Sequence, residues 1–299
     1  MRAFVTGASG FVGRHLCEHL VQSGDDVLGV DSECDVTKPD KVEHVLRECQ
    51  PEVIYHLAAL THVGESWKNP GEFERVNVFG TRTVIESAHR VVPSATVLLV
   101  SSADVYGVVR PDELPLRETR TPVPANPYSQ SKLQAEQVAL DFAHEHHQRL
   151  VITRPFNHIG PGQSDAFVVP ALVSRLFDAA EGGASQIPVG DLSTRRDFSD
   201  VRDVVRAYRL LIERGQPGEI YNVASGKDVA LIDIANDLVV RIASTVELVP
   251  SAELMRPVEI PVMRGSFEKL HAATGWEPTI SLTTSLNDVI SEQRARRQH

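Results

Sequence analysis

Tyr128-Ser129-Gln130-Ser131-Lys132 sets a phenol and an ammonium four residues apart. On a helix, that spacing stacks both side chains on one face. An ammonium beside a phenol favours the phenolate and lowers its pKa. Such a phenol can give or take the proton of a carbinol while hydride moves at the carbon. The spacing is common by chance, and an interfacial tyrosine with a solvated lysine is the competing reading. Its position adds weight, because Ser101-Ser102 closes a strand candidate one helix earlier. A hydroxyl at the C-terminal edge of a parallel sheet faces the ligand crevice. Ser102 there can hydrogen-bond a reacting carbonyl.

Thr6-Gly7-Ala8-Ser9-Gly10-Phe11-Val12-Gly13 offers a second chemistry. It follows a strand candidate and opens a helix containing Leu16, Leu20 and Val21. Glycines at such a junction allow a tight turn and let the backbone approach a pyrophosphate, which the helix N-terminus then attracts. An ordinary strand-to-helix turn is the alternative. Asp31 ends the next strand candidate about 20 residues on, which favours a dinucleotide. Its carboxylate can accept hydrogen bonds from ribose hydroxyls and repels a 2′-phosphate. NAD(H) is therefore expected ahead of NADP(H), which stays open, as does a surface aspartate one position out of register. Asp35-Val36 is placed to meet the adenine.

The elements that must hold these groups read as alternating strands and helices. Strand candidates lie at 3–6, 27–30, 53–57, 96–101, 150–153 and 219–223, short, β-branched and apolar. Such strands suit a parallel sheet covered on both faces. Between them, 128–147 shows Leu133, Ala135, Val138, Ala139 and Phe142 at helical spacing. The expected fold is α/β: a Rossmann-type doubly wound parallel sheet with a smaller α/β substrate-binding domain. Residues 155–191 are richer in Gly and Pro, and the pattern changes again after Ser225. We assign 1–154 and about 200–224 to the dinucleotide-binding domain and 155–199 and about 225–275 to the substrate domain. Residues 276–299 form a C-terminal segment expected to return to the first domain.

Composition narrows the function classes. The chain has 299 residues, 42% hydrophobic and 23% charged, enough apolar material for a sizeable core. A formal net charge of −10 disfavours sequence-independent nucleic-acid binding. Three cysteines, Cys17, Cys34 and Cys49, without paired spacing argue against a disulfide framework or zinc ribbon. No signal peptide and no bilayer-spanning run of about 18 apolar residues is read, so a cytoplasmic protein is expected.

Further segments carry a family resemblance. Ser101-Ser102-Ala103-Asp104-Val105-Tyr106-Gly107, His56-Leu57-Ala58-Ala59, Val63-Gly64-Glu65-Ser66 and Asn77-Val78-Phe79-Gly80-Thr81 are similar to segments of extended short-chain dehydrogenase/reductases acting on nucleotide sugars. The run from Arg154 to Gln163, Val189-Gly190-Asp191-Leu192, the run from Arg195 to Asp203, Arg256-Pro257-Val258-Glu259-Ile260-Pro261 and Thr274-Gly275-Trp276-Glu277-Pro278 resemble the subgroup that reduces GDP-4-keto-6-deoxy-D-mannose to GDP-D-rhamnose. GDP-mannose dehydratases share several of these. The resemblance covers nearly the whole chain. It implies Ser102, Tyr128 and Lys132 as catalytic, with Tyr128 and Lys132 also at the dinucleotide. Gly7, Gly10, Gly13, Asp31, Asp35 and Ala58 would line the cofactor, beside Phe11, Val12, Val36 and Leu57. Ser102, Asp104, Asn157, Arg196, Arg256 and Glu259 would hold the GDP-sugar. Charge-assisted arginine contacts suit a diphosphate. The competing reading is ion pairing of Arg196 with Asp197 or Asp200, and of Arg256 with Glu259. A homodimer through the helix near Tyr128 and the one after Asn77 is also implied, although the apolar stripe could serve the core.

Three reactions fit this scaffold. A 4,6-dehydratase needs an extra acid and base, and those of this superfamily generally carry Thr then Glu where this chain has Ser102 and Asp104. Ala103 can move no proton. A 4-epimerase needs only the triad, as does reduction of a 4-ketone. Reduction is favoured by the substrate-domain motifs. A non-catalytic dinucleotide-binding regulator is the remaining alternative. His144-Glu145-His146-His147-Gln148 lacks the second histidine of a zincin motif, so no metal is expected. Cys17, Trp67 and Trp276 read as packing residues, and Arg294, Arg296 and Arg297 as helix-end charges.

Overall fold

The computed structural model describes residues 1–254 and 260–298. Its first half alternates strands and helices: β1 Arg2–Thr6, α1 Phe11–Gln22, β2 Asp26–Val30, α2 Pro39–Cys49, β3 Val53–His56, then short helices α3 Val63–Lys68 and α4 Pro70–Phe73. A π-helical turn, Glu74–Phe79, runs into α5 Gly80–Val91, followed by β4 Thr96–Val100, α6 Pro127–His146 and β5 Leu150–Pro155. Next come β6 Asn157–Ile159, α7 Val168–Gly182, β7 Gln186–Val189, β8 Arg195–Asp200, α8 Val201–Arg214 and β9 Ile220–Val223. The chain closes with β10 Asp228–Ala230, α9 Leu231–Ile242, β11 Glu247–Pro250, β12 Val262–Met263, α10 Glu268–Thr274 and α11 Leu282–Arg297.

Six parallel strands form the main sheet in the order β2-β1-β3-β4-β5-β9. Strands β3, β4 and β5 are almost wholly buried, which explains why their apolar residues run on without alternation. One face of the sheet packs on α1 and α8 through Leu16, Leu20, Val204 and Leu211. The other packs on α2, α5 and α6 through Val42, Leu46, Val84 and Ala139. The chain leaves β1 outward to β2 and returns inward to β3, so the strand order reverses beside β1. Ligands of open α/β sheets bind at the strands' C-terminal ends at such a point.

A second core joins α7, α9 and α11 with β7 and β8, including Leu172, Leu176, Phe198, Ile234, Leu238 and Val289. In this lobe β10 and β12 flank β8, β6 also pairs β8, and β11 pairs β7.

Two features differ from the sequence expectation. Leu270 of α10, in the stretch assigned to the substrate domain, joins the first core together with Trp276, whereas Leu286, Val289 and Ile290 of α11, in the segment expected to return to the first domain, join the second. Asp203 makes that division. Its backbone carbonyl accepts the Trp276 indole N–H at 2.9 Å. Its buried carboxylate accepts the Thr279 and Ile280 amides, each at 2.8 Å, which turns the chain towards α11. The other difference concerns α6. Its buried face is Tyr128, Ser131, Lys132, Ala135, Glu136, Ala139 and Ala143, while Leu133, Val138 and Phe142 are half-buried. Small and partnered polar residues let the helix lie close to the sheet.

Arg297 closes α11 with ion pairs to Asp178 at 2.6 Å and Glu181 at 2.9 Å on α7. Among the described residues, no helix is long and apolar enough to cross a membrane.

Because Asp203 is buried and serves two amides, Asp203→Ala leaves both donors without a partner. We expect a loss of about 3 kcal/mol in unfolding free energy, measured by urea denaturation.

Candidate active site

The strand ends, the glycine turn and the second lobe enclose one cavity of about 940 Å³. Every described residue of the expected site lines it, namely Gly7, Gly10, Phe11, Val12, Gly13, Asp31, Asp35, Val36, Leu57, Ala58, Ser102, Asp104, Tyr128, Lys132, Asn157 and Arg196. Arg256 and Glu259 lie outside the described residues.

The glycine turn is shaped by contact. Gly7 has φ +71°, and a Cβ there would stand 2.9 Å from the Ala58 nitrogen. A Cβ on Gly13 would stand 2.1 Å from the Gly7 carbonyl oxygen. Gly10 caps α1 without a side chain, so nothing from the cap residue covers the first N–H groups of the helix. Such a cradle fits a pyrophosphate.

Asp31 follows β2, and its carboxylate accepts from the Ser9 hydroxyl and, at 3.2 Å, from the Ser9 amide. Glu33 folds back onto the Asp31 amide at 2.7 Å, which adds a second negative charge. Asp35 accepts from the Thr37 hydroxyl at 2.7 Å and amide at 2.9 Å, and these donors hold its carboxyl below the usual range.

A directed chain of hydrogen bonds fixes the neighbouring loop. The Thr81 hydroxyl donates to the Asn77 carbonyl at 2.6 Å, so its oxygen accepts from His56 Nε2 at 3.2 Å. His56 Nδ1 is then an acceptor for the Thr6 hydroxyl at 2.8 Å, and the Thr6 oxygen accepts the Ala58 amide at 3.2 Å. Burial drives the His56 pKa down to about 3, so the ring is neutral and this tautomer follows from the network. Asn77, in the π-helical turn, clamps the next residue of the loop pair by pair: it accepts the Leu60 amide at 2.8 Å and donates to the Leu60 carbonyl at 3.0 Å.

Ser102 stands just beyond β4 and caps a turn of 3₁₀ helix over Ala103–Tyr106, its oxygen accepting the Asp104 amide at 3.1 Å. Asn126 and Pro127 start α6, with Asn126 accepting the Ser129 amide at 2.8 Å, and this places Tyr128 in its first turn. Tyr128 does not follow the electrostatic expectation. Burial and the nearby Asp104 carboxylate raise its pKa above the ordinary phenol value, with the Ser102 hydroxyl pulling the other way. Lys132 instead turns towards β4 and donates to the Val100 carbonyl at 2.5 Å. Burial lowers the Lys132 pKa to about 8. The phenol is therefore held protonated, as a proton donor.

Asn157 begins β6 and Arg196 lies on β8, both at the cavity wall. The carboxylates weighed as structural partners of Arg196 each hold other donors. Asp197 accepts from Ser225, Gly226 and Gly265, and Asp200 from Arg202 and Ser285. Trp67, expected to pack in the interior, is 44% exposed and lines the cavity. Phe167, Tyr208, Ile260 and Met263 also line it and were not foreseen. Trp67 was findable from its place beside Ser66. Nothing local marks the others: Phe167, Ile260 and Met263 come in from the second lobe, and Tyr208 comes from α8 of the first core.

A model of the NAD dependent epimerase/dehydratase family matches residues 3–224. The chain is 38% identical to a GDP-6-deoxy-D-mannose reductase of Pseudomonas aeruginosa, over 99% of this chain and 98% of the relative. It is 32% identical to a GDP-6-deoxy-D-talose 4-dehydrogenase of Aggregatibacter actinomycetemcomitans, over 90% of each. A solved structure of RMD from Pseudomonas aeruginosa complexed with NADPH superposes with a TM-score of 0.92 at 37% identity, covering 99% of both chains.

The contact at Gly13 gives a direct test. Gly13→Ala must displace the Gly7 carbonyl, and we expect dinucleotide affinity to fall on the order of tenfold or more with the far-ultraviolet spectrum unchanged. Gly71→Ala, whose Cβ meets nothing within 4 Å, is the control expected to leave affinity unaltered in the same fluorescence titration.

Proposed function

The chain belongs to the NAD dependent epimerase/dehydratase family, and we propose that within it the protein reduces the C4 ketone of a GDP-4-keto-6-deoxy-hexose, giving GDP-D-rhamnose. The observation that carries this reading is the protonated, buried Tyr128 beside Ser102, at the end of a cavity that begins on the glycine cradle. The full-length similarity to a reductase of a GDP-6-deoxy sugar supports the substrate class.

A bound dihydronicotinamide supplies the hydride. The chain's residues supply the rest. The Ser102 oxygen already accepts the Asp104 amide, which leaves its hydrogen to donate to the ketone oxygen. Tyr128 gives its proton to the same oxygen as negative charge develops there. Lys132, seated on the Val100 carbonyl, would hold the nicotinamide ribose. Asn157 and Arg196 orient the nucleotide-sugar, with Arg196 suited to the diphosphate. Gly7, Gly10 and Gly13 keep the backbone open to the pyrophosphate, and Asp31 accepts from the adenosine ribose. With Asp31 and Glu33 both at the end of β2, we read NADH as the preferred reductant, although the solved relative carries NADPH. We also propose a homodimer through α5 and α6, where Phe79 is 50% exposed and Leu133, Val138 and Phe142 remain half-buried. Light scattering that returns a monomer mass at micromolar concentration would remove it.

A second reading, 4,6-dehydration, rests on Asp104, whose carboxylate reaches the cavity beside Tyr128. Mixing the protein with GDP-4-keto-6-deoxy-D-mannose separates the two. Reduction predicts stoichiometric oxidation of NADH, with kcat/KM at least about tenfold above that for NADPH, because a 2′-phosphate would face two carboxylates. NMR of the product should show the rhamno configuration at C4, whereas a talo product would keep the reaction and reverse the face of attack. No oxidation, with GDP-mannose converted to a 4-keto sugar, would establish the dehydratase.

Loss of the proton donor is the sharper test of mechanism. Tyr128→Phe should lower kcat by a factor of about 10² to 10⁴ while leaving dinucleotide affinity within a few-fold. Undiminished turnover would take Tyr128 out of the chemistry.

A further inference from the structure

Directly behind Tyr128 and Lys132 lies a charged group that the mechanism above does not use. Glu136, 1% exposed, and Arg154, 3% exposed, form a bidentate pair with N–O distances of 3.0 and 2.6 Å. Glu136 stands one helical turn beyond Lys132 on α6, and Arg154 lies on β5. The same carboxylate accepts from the Ser101 hydroxyl, the residue between Val100, which holds the Lys132 ammonium, and Ser102. Arg154 lies over the Tyr106 ring at 5.0 Å, and its Nη1 has no hydrogen-bond partner among the described residues. Tyr106 is anchored in turn by its hydroxyl donating to Asn222 at 2.8 Å. A buried cation on β5 thus pairs with a buried carboxylate one helical turn from the Lys132 ammonium.

For stability alone this arrangement is a poor choice. A buried ion pair seldom outweighs its desolvation, and well-packed apolar residues of similar volume often do as well or better. Its place between α6, β4 and β5 gives it another use. We infer that Glu136 is a positioning residue for the dinucleotide site: through Ser101 and from one turn away, it keeps Lys132 charged and seated at the end of β4. Arg154 is the counterion that holds the carboxylate in place.

The surroundings of Lys132 favour this assignment. Tyr128 on its own helix is neutral, and so is His56 from β3, which is close enough for the Lys132 charge to help lower its pKa. From β4 it meets the Val100 carbonyl, and from β5 the Arg154 cation lies across Glu136. Asp104, from the 3₁₀ turn, acts on Tyr128. Burial pulls the Lys132 pKa down to about 8, and the group acting in the other direction is Glu136. The ammonium form is therefore the one lost as pH rises through about 8, and removing Glu136 moves that loss to lower pH.

The inference rests on the proposed dinucleotide role of Lys132, and its test does not need the sugar substrate. NADH affinity is measured by fluorescence from pH 6 to pH 10 for the intact protein, for Glu136→Gln and for the double variant Glu136→Leu with Arg154→Leu. Affinity of the intact protein should fall as pH rises through about 8. Lys132→Met should bind weakly with that titration gone, which assigns it. In Glu136→Gln the midpoint should drop by about one pH unit, so that affinity above both midpoints is about tenfold weaker. The double variant removes both charges and guards against misfolding. A melting temperature near that of the intact protein, with the midpoint still lowered, supports the inference. A double variant with the original midpoint would make the pair purely structural and overturn it, as would a Glu136→Gln protein that folds and titrates unchanged. Failure of the keto-sugar assay beside a shifted NADH titration would count against the proposed reaction and leave this role standing.

Discussion

The close approach of two strand ends sets the rest of the site. The turn after β1 lies so near the loop after β3 that a Cβ on Gly7 would meet the Ala58 nitrogen at 2.9 Å. With φ at +71°, that position strains any residue but glycine. The same two strands are joined one residue earlier by Thr6 and His56. Thr6 also holds the Ala58 amide, so the approach is fixed by hydrogen bonds as well as by missing side chains. Because each oxygen or nitrogen of that chain has a defined donor or acceptor role, the loop has one arrangement. The π-helical turn carrying Asn77 continues it to Leu60. A flat, rigid floor results, and on it Ser102, Tyr128 and Lys132 converge from β4 and α6.

The second lobe is attached to the same turn. Arg14 of α1 bridges the Ser9 carbonyl at 2.5 Å and the Gly162 carbonyl at 2.9 Å. His15 reaches the Pro161 carbonyl at 2.8 Å, and Glu292 of α11 accepts the Gly162 amide at 2.6 Å. The Phe11 ring lies parallel to His158 at 6.0 Å between centroids. One short helix therefore positions both the glycine cradle and the loop that follows Asn157. A displacement of α1 would be felt at both ends of the cavity, which is why a cofactor cradle and a substrate wall can be built on separate cores.

Much of this was legible in the sequence, for identifiable reasons. Buried parallel strands leave unbroken apolar runs, as in β3, β4 and β5, and the edge strand β2 was readable from its apolar residues although most of it is exposed. Gly7, Gly10 and Gly13 could be read because their spacing reflects backbone contact, which is a local property. Tyr128 and Lys132 were legible as a pair because helical spacing is local too. Their electrostatics were not, since burial of the phenol and the diversion of Lys132 to Val100 depend on β4 and the Ser102 turn. The path of the C-terminal segment was likewise hidden. It turns on Asp203, more than 70 residues before Thr279 and Ile280 in the chain. Trp67 was read as a packing residue, whereas its short helix contributes Val63, Gly64 and Trp67 to the cavity wall.

The electrostatics at Tyr128 set its resting protonation state. A carboxylate close to a phenol penalises the phenolate, so the phenol stays protonated at rest and is the weaker acid for it. Asp104 has that effect here, and burial adds to it. Its amide also fixes the Ser102 oxygen as an acceptor, so the serine hydrogen is available to a ligand oxygen. Both hydroxyls can then donate to one carbonyl. Ketone reduction needs that double donation at one oxygen. Elimination of water needs instead a base at carbon and an acid at a second oxygen, and Ala103 brings no side chain to either task. Asp104 could serve as that base only by ceasing to hold the proton on Tyr128. One carboxylate cannot serve both roles in the same step, whereas two hydroxyls at one carbonyl oxygen are what ketone reduction uses.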